Sequence, residues 1–215
     1  MYRLRIKYRR GEEVKYISHL DIMRLWQRAL NRAGIPLAYS EGFHPHPKIS
    51  LAAPLAIGVT SRAELMDITL TRQVSPHFFT AAVTRQLPAG FEILQVVPIA
   101  ETLSSLQSQV RFAEYNVELA TDKKQPELAS TIASLLSLEN LPWQHQRDTG
   151  LRHYDLRALI DDIWLLNYQG GLCNIGMRLR CDSGGSGRPE QVSAALGFTE
   201  PPKSVHRTKL ILNSN

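Results

Sequence analysis

The chain has 215 residues, 43% hydrophobic and 21% charged, a balance that excludes disordered, collagen-like and coiled-coil classes and allows one large domain or two small ones. No apolar run approaches the roughly 18 residues a membrane span needs, and the first ten residues alternate basic and apolar with no apolar block of signal-peptide length; the expected location is the cytoplasm, away from membrane. The formal net charge of +5 is unevenly placed, because residues 1–50 hold ten Lys/Arg against four Asp/Glu while the rest of the chain is nearly neutral. An acidic partner would meet that first quarter first.

Arg3 to Arg9 alternates with Leu4, Ile6 and Tyr8, which predicts an opening strand with one buried face. Ser18, three residues before Asp21, predicts the start of a helix that runs to Gly34 and is closed by Pro36. A loop rich in Pro, Gly and His follows over 39–47. Two β-like runs, 49–59 and 64–71, then flank Thr60-Ser61-Arg62 and read as a hairpin. Ser75-Pro76 predicts a capped helix over 77–87, ended by Pro88-Ala89-Gly90, and 91–98 is again strand-like. The first half therefore reads β-α-β-β-α-β.

Polar residues 101–109 read as a linker. Beyond it, 110–120 alternates as a strand and 126–138 has helical spacing. Residues 164–168 and 172–180 flank Gln169-Gly170-Gly171 as a hairpin, 189–196 follows a glycine-rich loop as a short helix, and 208–212 closes as a strand. Residues 142–163 stay open between strand and helical turn. The expected class is α+β: two tandem ferredoxin-like (βαββαβ) split β-α-β units with antiparallel sheets, over 1–99 and 108–215.

Arg24, Arg28 and Arg32 recur at i, i+4 and i+8 on the first helix, which stacks three guanidiniums about 6 Å apart along one side. Such a row suits phosphates, and only Asp21 offers an acid within the helix; the bland alternative is the solvated face of an amphipathic helix. The loop Tyr39-Ser40-Glu41-Gly42-Phe43-His44-Pro45-His46-Pro47-Lys48 supports three chemistries. Phe43, His44 and His46 suit bases while Lys48 and the arginines hold phosphates. His44 and His46 suit a metal if His19, Asp21 or Glu41 completes the set. The same histidines suit acid/base work, although no Ser or Cys nucleophile elbow accompanies them. The alternative is a loop stiffened by proline whose histidines cap nearby backbone.

In the second half Ser183-Gly184-Gly185-Ser186-Gly187-Arg188-Pro189 runs into a helix, so Gly185, Gly187, Arg188 and the nearby Arg207 form a candidate anion site. The stretch lacks the Gly-Lys-Ser/Thr of a P-loop, and a plain strand-to-helix connection is the competing reading. Two cysteines, Cys173 and Cys181, are too few for a disulfide framework and lack metal-site spacing. No metal or cofactor held by this chain is expected.

The run Tyr16-Ile17-Ser18-His19-Leu20-Asp21, then Arg24, Arg28-Ala29, Ala33-Gly34, Tyr39-Ser40, Gly42-Phe43-His44-Pro45, Pro47, Ile49-Ser50 and Ala53-Pro54-Leu55, resembles the radical-SAM-linked family. That is an uncharacterised domain fused to, or encoded beside, a radical S-adenosylmethionine (SAM) protein of the cobalamin-binding type. Asp155-Leu156-Arg157, Gly187-Arg188-Pro189-Glu190 and Arg207-Thr208 resemble its C-terminal signature. The resemblance implies a radical SAM partner that brings S-adenosylmethionine and an iron–sulfur cluster, and the family's gene neighbourhood of ribonuclease and ribosomal-protein genes points to RNA. It supplies no catalytic residues. Two cysteines cannot hold the three-cysteine cluster of such an enzyme, so this chain is expected to be an accessory. The leading expectation is an RNA-binding or substrate-presenting domain, acting on tRNA or rRNA in modification or processing. The alternatives are a metal-assisted or acid/base enzyme using His19, Asp21, His44 and His46 on a phosphorylated substrate, and a protein-docking module for the radical SAM partner.

Overall fold

Strict alternation shapes the first strand, β1 (Tyr2–Arg10): Leu4, Ile6 and Tyr8 are buried on one face and Arg3, Arg5 and Lys7 lie on the other. The computed structural model describes residues 1–147 and 150–213, among which the chain forms eleven strands and five α-helices and so belongs to the mixed α+β class. It divides into two units, one holding residues 1–110 and the other 111–212.

In the first unit α1 (His19–Arg32) starts at Ser18, whose hydroxyl accepts from the Asp21 amide at 3.2 Å and donates to the Asp21 carboxylate at 2.7 Å. Each partner thereby satisfies the other at a helix start that would otherwise leave its amides unpaired. Ile22, Trp26, Ala29 and Leu30 recur at helical spacing and are buried. The Trp26 ring stands edge-on to Tyr8 at 4.9 Å and to Phe91 at 6.0 Å, the arrangement aromatic quadrupoles favour.

β2 (Ile49–Leu51) pairs antiparallel with β3 (Thr60–Leu70), which pairs antiparallel with β1. α2 (Pro76–Thr84) is capped by Ser75, which accepts from the Phe78 amide, and buries Phe79 and Val83. β4 (Phe91–Ile99) pairs antiparallel with the free edge of β1. The order is β4-β1-β3-β2. Leu4, Ile6 and Tyr8 join Met66, Ile68 and Leu70 of β3 and the buried residues of both helices in one core, so the two helices cover the same face. Burying a side chain such as Phe79 contributes about 1.5–3 kcal/mol.

The 49–59 run departs from its expected strand. Only its first three residues pair as a strand, because Pro54 has no N–H to offer a ladder and Gly58 takes a φ of +84° with its amide on the Lys15 carbonyl at 2.9 Å. Thr60-Ser61-Arg62, expected as the turn, opens β3 instead. The expected linker over 101–109 ends in a helical turn, α3 (Leu106–Gln109), capped by Ser105.

The opposite face of β1 carries charge that folding consumes. Asp67, directly across from Arg5 in the β1–β3 register, accepts from Arg5 Nε at 2.8 Å and Nη2 at 2.9 Å and from Arg3 Nη2 at 3.1 Å. Arg3 also donates to the Leu103 carbonyl at 2.6 Å, and Arg5 to Gln109 Oε1 at 3.1 Å. The Asp67 side chain is 4% exposed and each arginine 13%, a nearly dry pair whose remaining donors must all be met.

The second unit contains β5 (Val110–Ala120), α4 (Gln125–Leu136), β6 (Pro142–Arg147), β7 (Gly150–Asp155), β8 (Ile160–Gln169), β9 (Leu172–Asp182), β10 (Gly185–Ser186), α5 (Pro189–Ala195) and β11 (Ser204–Leu212). β9 pairs antiparallel with both β5 and β8, β11 lies beside β5, and the order is β11-β5-β9-β8, with β10 adding two residues to β9. Gly170 and Gly171 turn β8 into β9 with φ of +59° and +76°, the left-handed pair a tight hairpin requires. The described part of the open stretch 142–163 forms the start of β8, a 3₁₀ turn (Arg157–Leu159), and the paired strands β6 and β7, a hairpin with a sheet of its own; residues 148 and 149 lie outside the described residues. Asp155 anchors the hairpin's base by accepting from the amides of Leu141 at 2.7 Å and Arg157 at 2.9 Å. Among the described residues no helix is long and apolar enough to cross a membrane.

Candidate functional site

At about 100° per residue, Arg24, Arg28, Asp21, Arg32, Leu25 and Ala29 sweep in that order through about 140° of the α1 surface. This sector forms one wall and the floor of a groove of about 550 Å³; Ile17 completes that side, and Arg85, Gln86, Leu87 and Pro88, from the stretch after α2, form the opposite wall. The lining holds four guanidiniums and one carboxylate. Arg24 Nη1 sits 3.2 Å from Asp21 Oδ1, both side chains largely exposed, so salt screens the pair readily. The Ser18 hydroxyl, then Arg24 and the charge of Arg28, hold the Asp21 carboxyl below its ordinary 3.8. Among the described residues Arg28, Arg32 and Arg85 make no hydrogen bond or ion pair.

Other basic residues of the first quarter are spent at home. Arg3 and Arg5 serve Asp67. Arg10 is 3% exposed and donates to the carbonyls of Val14 at 3.2 Å and Ile17 at 3.3 Å. Lys15 meets Glu12 at 2.7 Å, whereas Arg9 and Glu92, 3.6 Å apart, are both more than half exposed, which leaves Arg9 open to a partner. The positive excess seen in the sequence therefore overstates what faces a partner, and the α1 row is the part that lines this groove together with Arg85.

The proline-histidine loop is a small closed arch. Tyr39 bridges to Pro47, the Ser40 amide donates to the His46 carbonyl at 2.8 Å, and the His46 amide donates to Ser40 Oγ at 2.9 Å. Its side chains face water: Phe43 is fully exposed at 102%, and His44, His46 and Lys48 are exposed. None of them lines the arginine groove. His19, the first residue of α1, is exposed and outside that lining as well. Among the described residues no three His, Cys, Asp or Glu side chains gather to hold a metal ion, so His19, Asp21, His44 and His46 do not come together as the metal alternative would require.

The glycine loop of the second unit also departs from expectation. The Gly187 amide donates to the Arg180 carbonyl at 2.9 Å, the Gly184 amide to Asp182 Oδ1 at 2.7 Å, and Gly185 pairs with Asp182 within β10. Burial works to raise the Asp182 carboxyl, but the Arg180 hydrogen bond, the Gly184 amide and the charges of Arg180 and Arg111 outweigh it and hold the group below 3.8. Arg207 is 2% exposed, with Nη2 at 3.1 Å from the Tyr115 hydroxyl and its guanidinium 5.5 Å from the centre of that ring. Of Gly185, Gly187, Arg188 and Arg207, only Arg188 keeps an exposed side chain; its Nη1 lies 3.4 Å from His145 Nε2. Loop amides already paired and a guanidinium already buried leave no open anion cradle.

Sequence reasoning missed the groove's second wall, since 85–88 read only as the end of a helix. It also missed a cavity of about 410 Å³ at the β6–β7 hairpin, lined by Asn140, Pro142, Trp143, Gln144, His153, Tyr154 and Asp155. Trp143 and Tyr154 face each other across the two strands.

A family model described as an uncharacterized protein conserved in bacteria (DUF2344) matches residues 3–189. No curated protein matches. Among solved structures, a Cbf5-Nop10-Gar1 complex is similar over 96% of this chain and 48% of that chain, with a TM-score of 0.53 and 11% identity. An H/ACA RNP bound to a substrate RNA containing 2′-deoxyuridine is similar over 96% of this chain and 47% of that one, at a TM-score of 0.50 and 12% identity. The chain thus spans about half the length of these chains, and at such identities the likeness is one of fold alone.

Proposed function

The chain belongs to the DUF2344 family of uncharacterized proteins conserved in bacteria, and we propose that it is an accessory RNA-binding protein in which Arg24, Arg28, Arg32 and Arg85 grip phosphates. The observation that carries this reading is the groove itself: four guanidiniums drawn from two separate elements line one recess, against a single carboxylate already engaged by Ser18 and Arg24. An amphipathic helix folding for its own sake needs no such convergence. The exposed Phe43, His44, His46 and Lys48 add a second contact, the aromatic ring for a base and the lysine for a phosphate. Repetition of one strand order, β4-β1-β3-β2 and β11-β5-β9-β8, supports two tandem ferredoxin-like domains, within 1–99 and 108–215. Fold likeness to a chain of an H/ACA RNP bound to a substrate RNA agrees with this reading.

The resemblance of residues 16–58 to the radical-SAM-linked family adds the partner: this protein presents RNA to a separate radical SAM enzyme in the cytoplasm. Tyr16, Leu20 and Ile57, large apolar side chains 71%, 66% and 63% exposed, favour a protein contact beside the start of α1.

Fluorescence anisotropy with tRNA and rRNA fragments tests the RNA reading. Affinity should fall steeply between about 50 and 200 mM salt, and changing Arg24, Arg28 and Arg32 together to Gln should flatten the log–log salt slope by about two units, as three lost phosphate contacts require. Salt-independent binding, or none, overturns the proposal.

A further inference from the structure

Resting on that RNA reading, we infer that the groove beside α1 seats one unpaired nucleotide of a single strand and does not grip a duplex. A duplex carries its phosphates on the outside of a cylinder, so it can touch the tips of Arg24 and Arg28 but cannot enter a recess walled on both sides. The recess has the volume of a small-ligand cavity, about 550 Å³ against a usual range of about 300–1,000 Å³.

What lies inside it suits a base more than a second phosphate. Leu25, Leu87 and Pro88 give the groove an apolar surface that phosphate gains nothing by touching and that the face of a nucleobase covers well. None of the residues lining the groove is aromatic, so a seated base packs against these apolar side chains and not on a ring. Gln86 brings one carboxamide, half-buried and without a side-chain hydrogen bond among the described residues; with both donor and acceptor it can pair with a base edge. Asp21 does not compete, because its two oxygens are held by Ser18 and Arg24. The phosphates on either side of the seated base then meet opposite walls, Arg28 and Arg32 on one and Arg85 on the other.

Anisotropy of the whole protein with a uridine-rich strand of about ten nucleotides, alone and annealed to its complement, decides the question. The single strand should bind about tenfold tighter than the duplex at equal salt. Gln86→Ala, a change at a partly exposed position of a turn, should weaken the single strand about threefold while leaving duplex binding unchanged. A 4-thiouridine in the strand should crosslink within 25–29 or 85–88. Equal, salt-sensitive binding of strand and duplex, or crosslinks confined to the loop around Phe43, overturns this inference and leaves RNA binding standing. Failure of both nucleic acids to bind removes the RNA reading together with it.

Discussion

Asp67→Asn isolates the part of the positive charge that builds the fold from the part that faces a partner. In the native protein Asp67 accepts three hydrogen bonds from two guanidiniums, at 2.8, 2.9 and 3.1 Å, with 4% of its side chain exposed. The amide keeps the shape, removes the charge, and turns an NH₂ group toward two cations that stay 13% exposed. Breaking one side of such a pair costs about 3–5 kcal/mol, because the surviving charges remain desolvated. With a urea m-value of about 2 kcal/mol/M, the unfolding midpoint falls by about 1.5–2.5 M. Urea titration followed by far-UV circular dichroism reads the shift. Replacing Arg3, Arg5 and Asp67 together by Met, Leu and Leu should recover most of the loss, since a well-packed apolar substitute avoids the desolvation penalty. Under conditions where Asp67→Asn is folded, its RNA salt slope should match that of the parent. A midpoint change below about 0.5 M, or a changed salt slope, would refute the assignment of Arg3 and Arg5 to the interior.

The Asp21 carboxyl, followed by carbon-detected NMR titration, should show a midpoint below 3.8, and Ser18→Ala should raise it, because the Ser18 hydroxyl is the main cause of the depression. With the folded value depressed, the carboxylate's contribution to the start of α1 is present above the unfolded pKa and lost as pH falls through the folded one; the protection factors of the Asp21 and Ile22 amides, which donate to Ser18, should therefore fall in acid once intrinsic exchange rates are divided out. Gly176 lies opposite Trp164 in the β8–β9 ladder, and the indole occupies the space a Cβ would need. Gly176→Ala should cost about 1–3 kcal/mol and alter tryptophan emission as the ring is displaced; an unchanged spectrum and midpoint would contradict that packing.

Local signals were readable where one residue type has one physical job. Ser18 and Ser75 cap the helices expected from them, Gly170-Gly171 supplies the left-handed backbone of a tight hairpin, and the strict alternation of 110–120 marks β5 from end to end. The run after Ile49 misled because its apolar residues look like a strand while Pro54 lacks the N–H a ladder needs and Gly58 turns the chain with a φ of +84°. β6 and β7 escaped because Gln144-His145 and Arg152-His153 have no buried face to impose a period of two. The arginine row was legible as helical spacing; its far wall was not, since nothing local brings Arg85 to α1. Nor does the sequence near Arg3, Arg5 or Arg207 announce Asp67 or Tyr115, their partners 62 to 92 positions away.

Among the described residues the β6–β7 ribbon pairs only with itself, and it lies between α4 and β8 in the chain. Lengthening, recoding or excising it re-registers none of the four strands alongside, whereas one residue gained within β9 would swap every inward side chain for its outward neighbour. That makes it the place where a lineage can try new specificities at low structural risk, and Trp143 facing Tyr154 at its root is raw material for such trials.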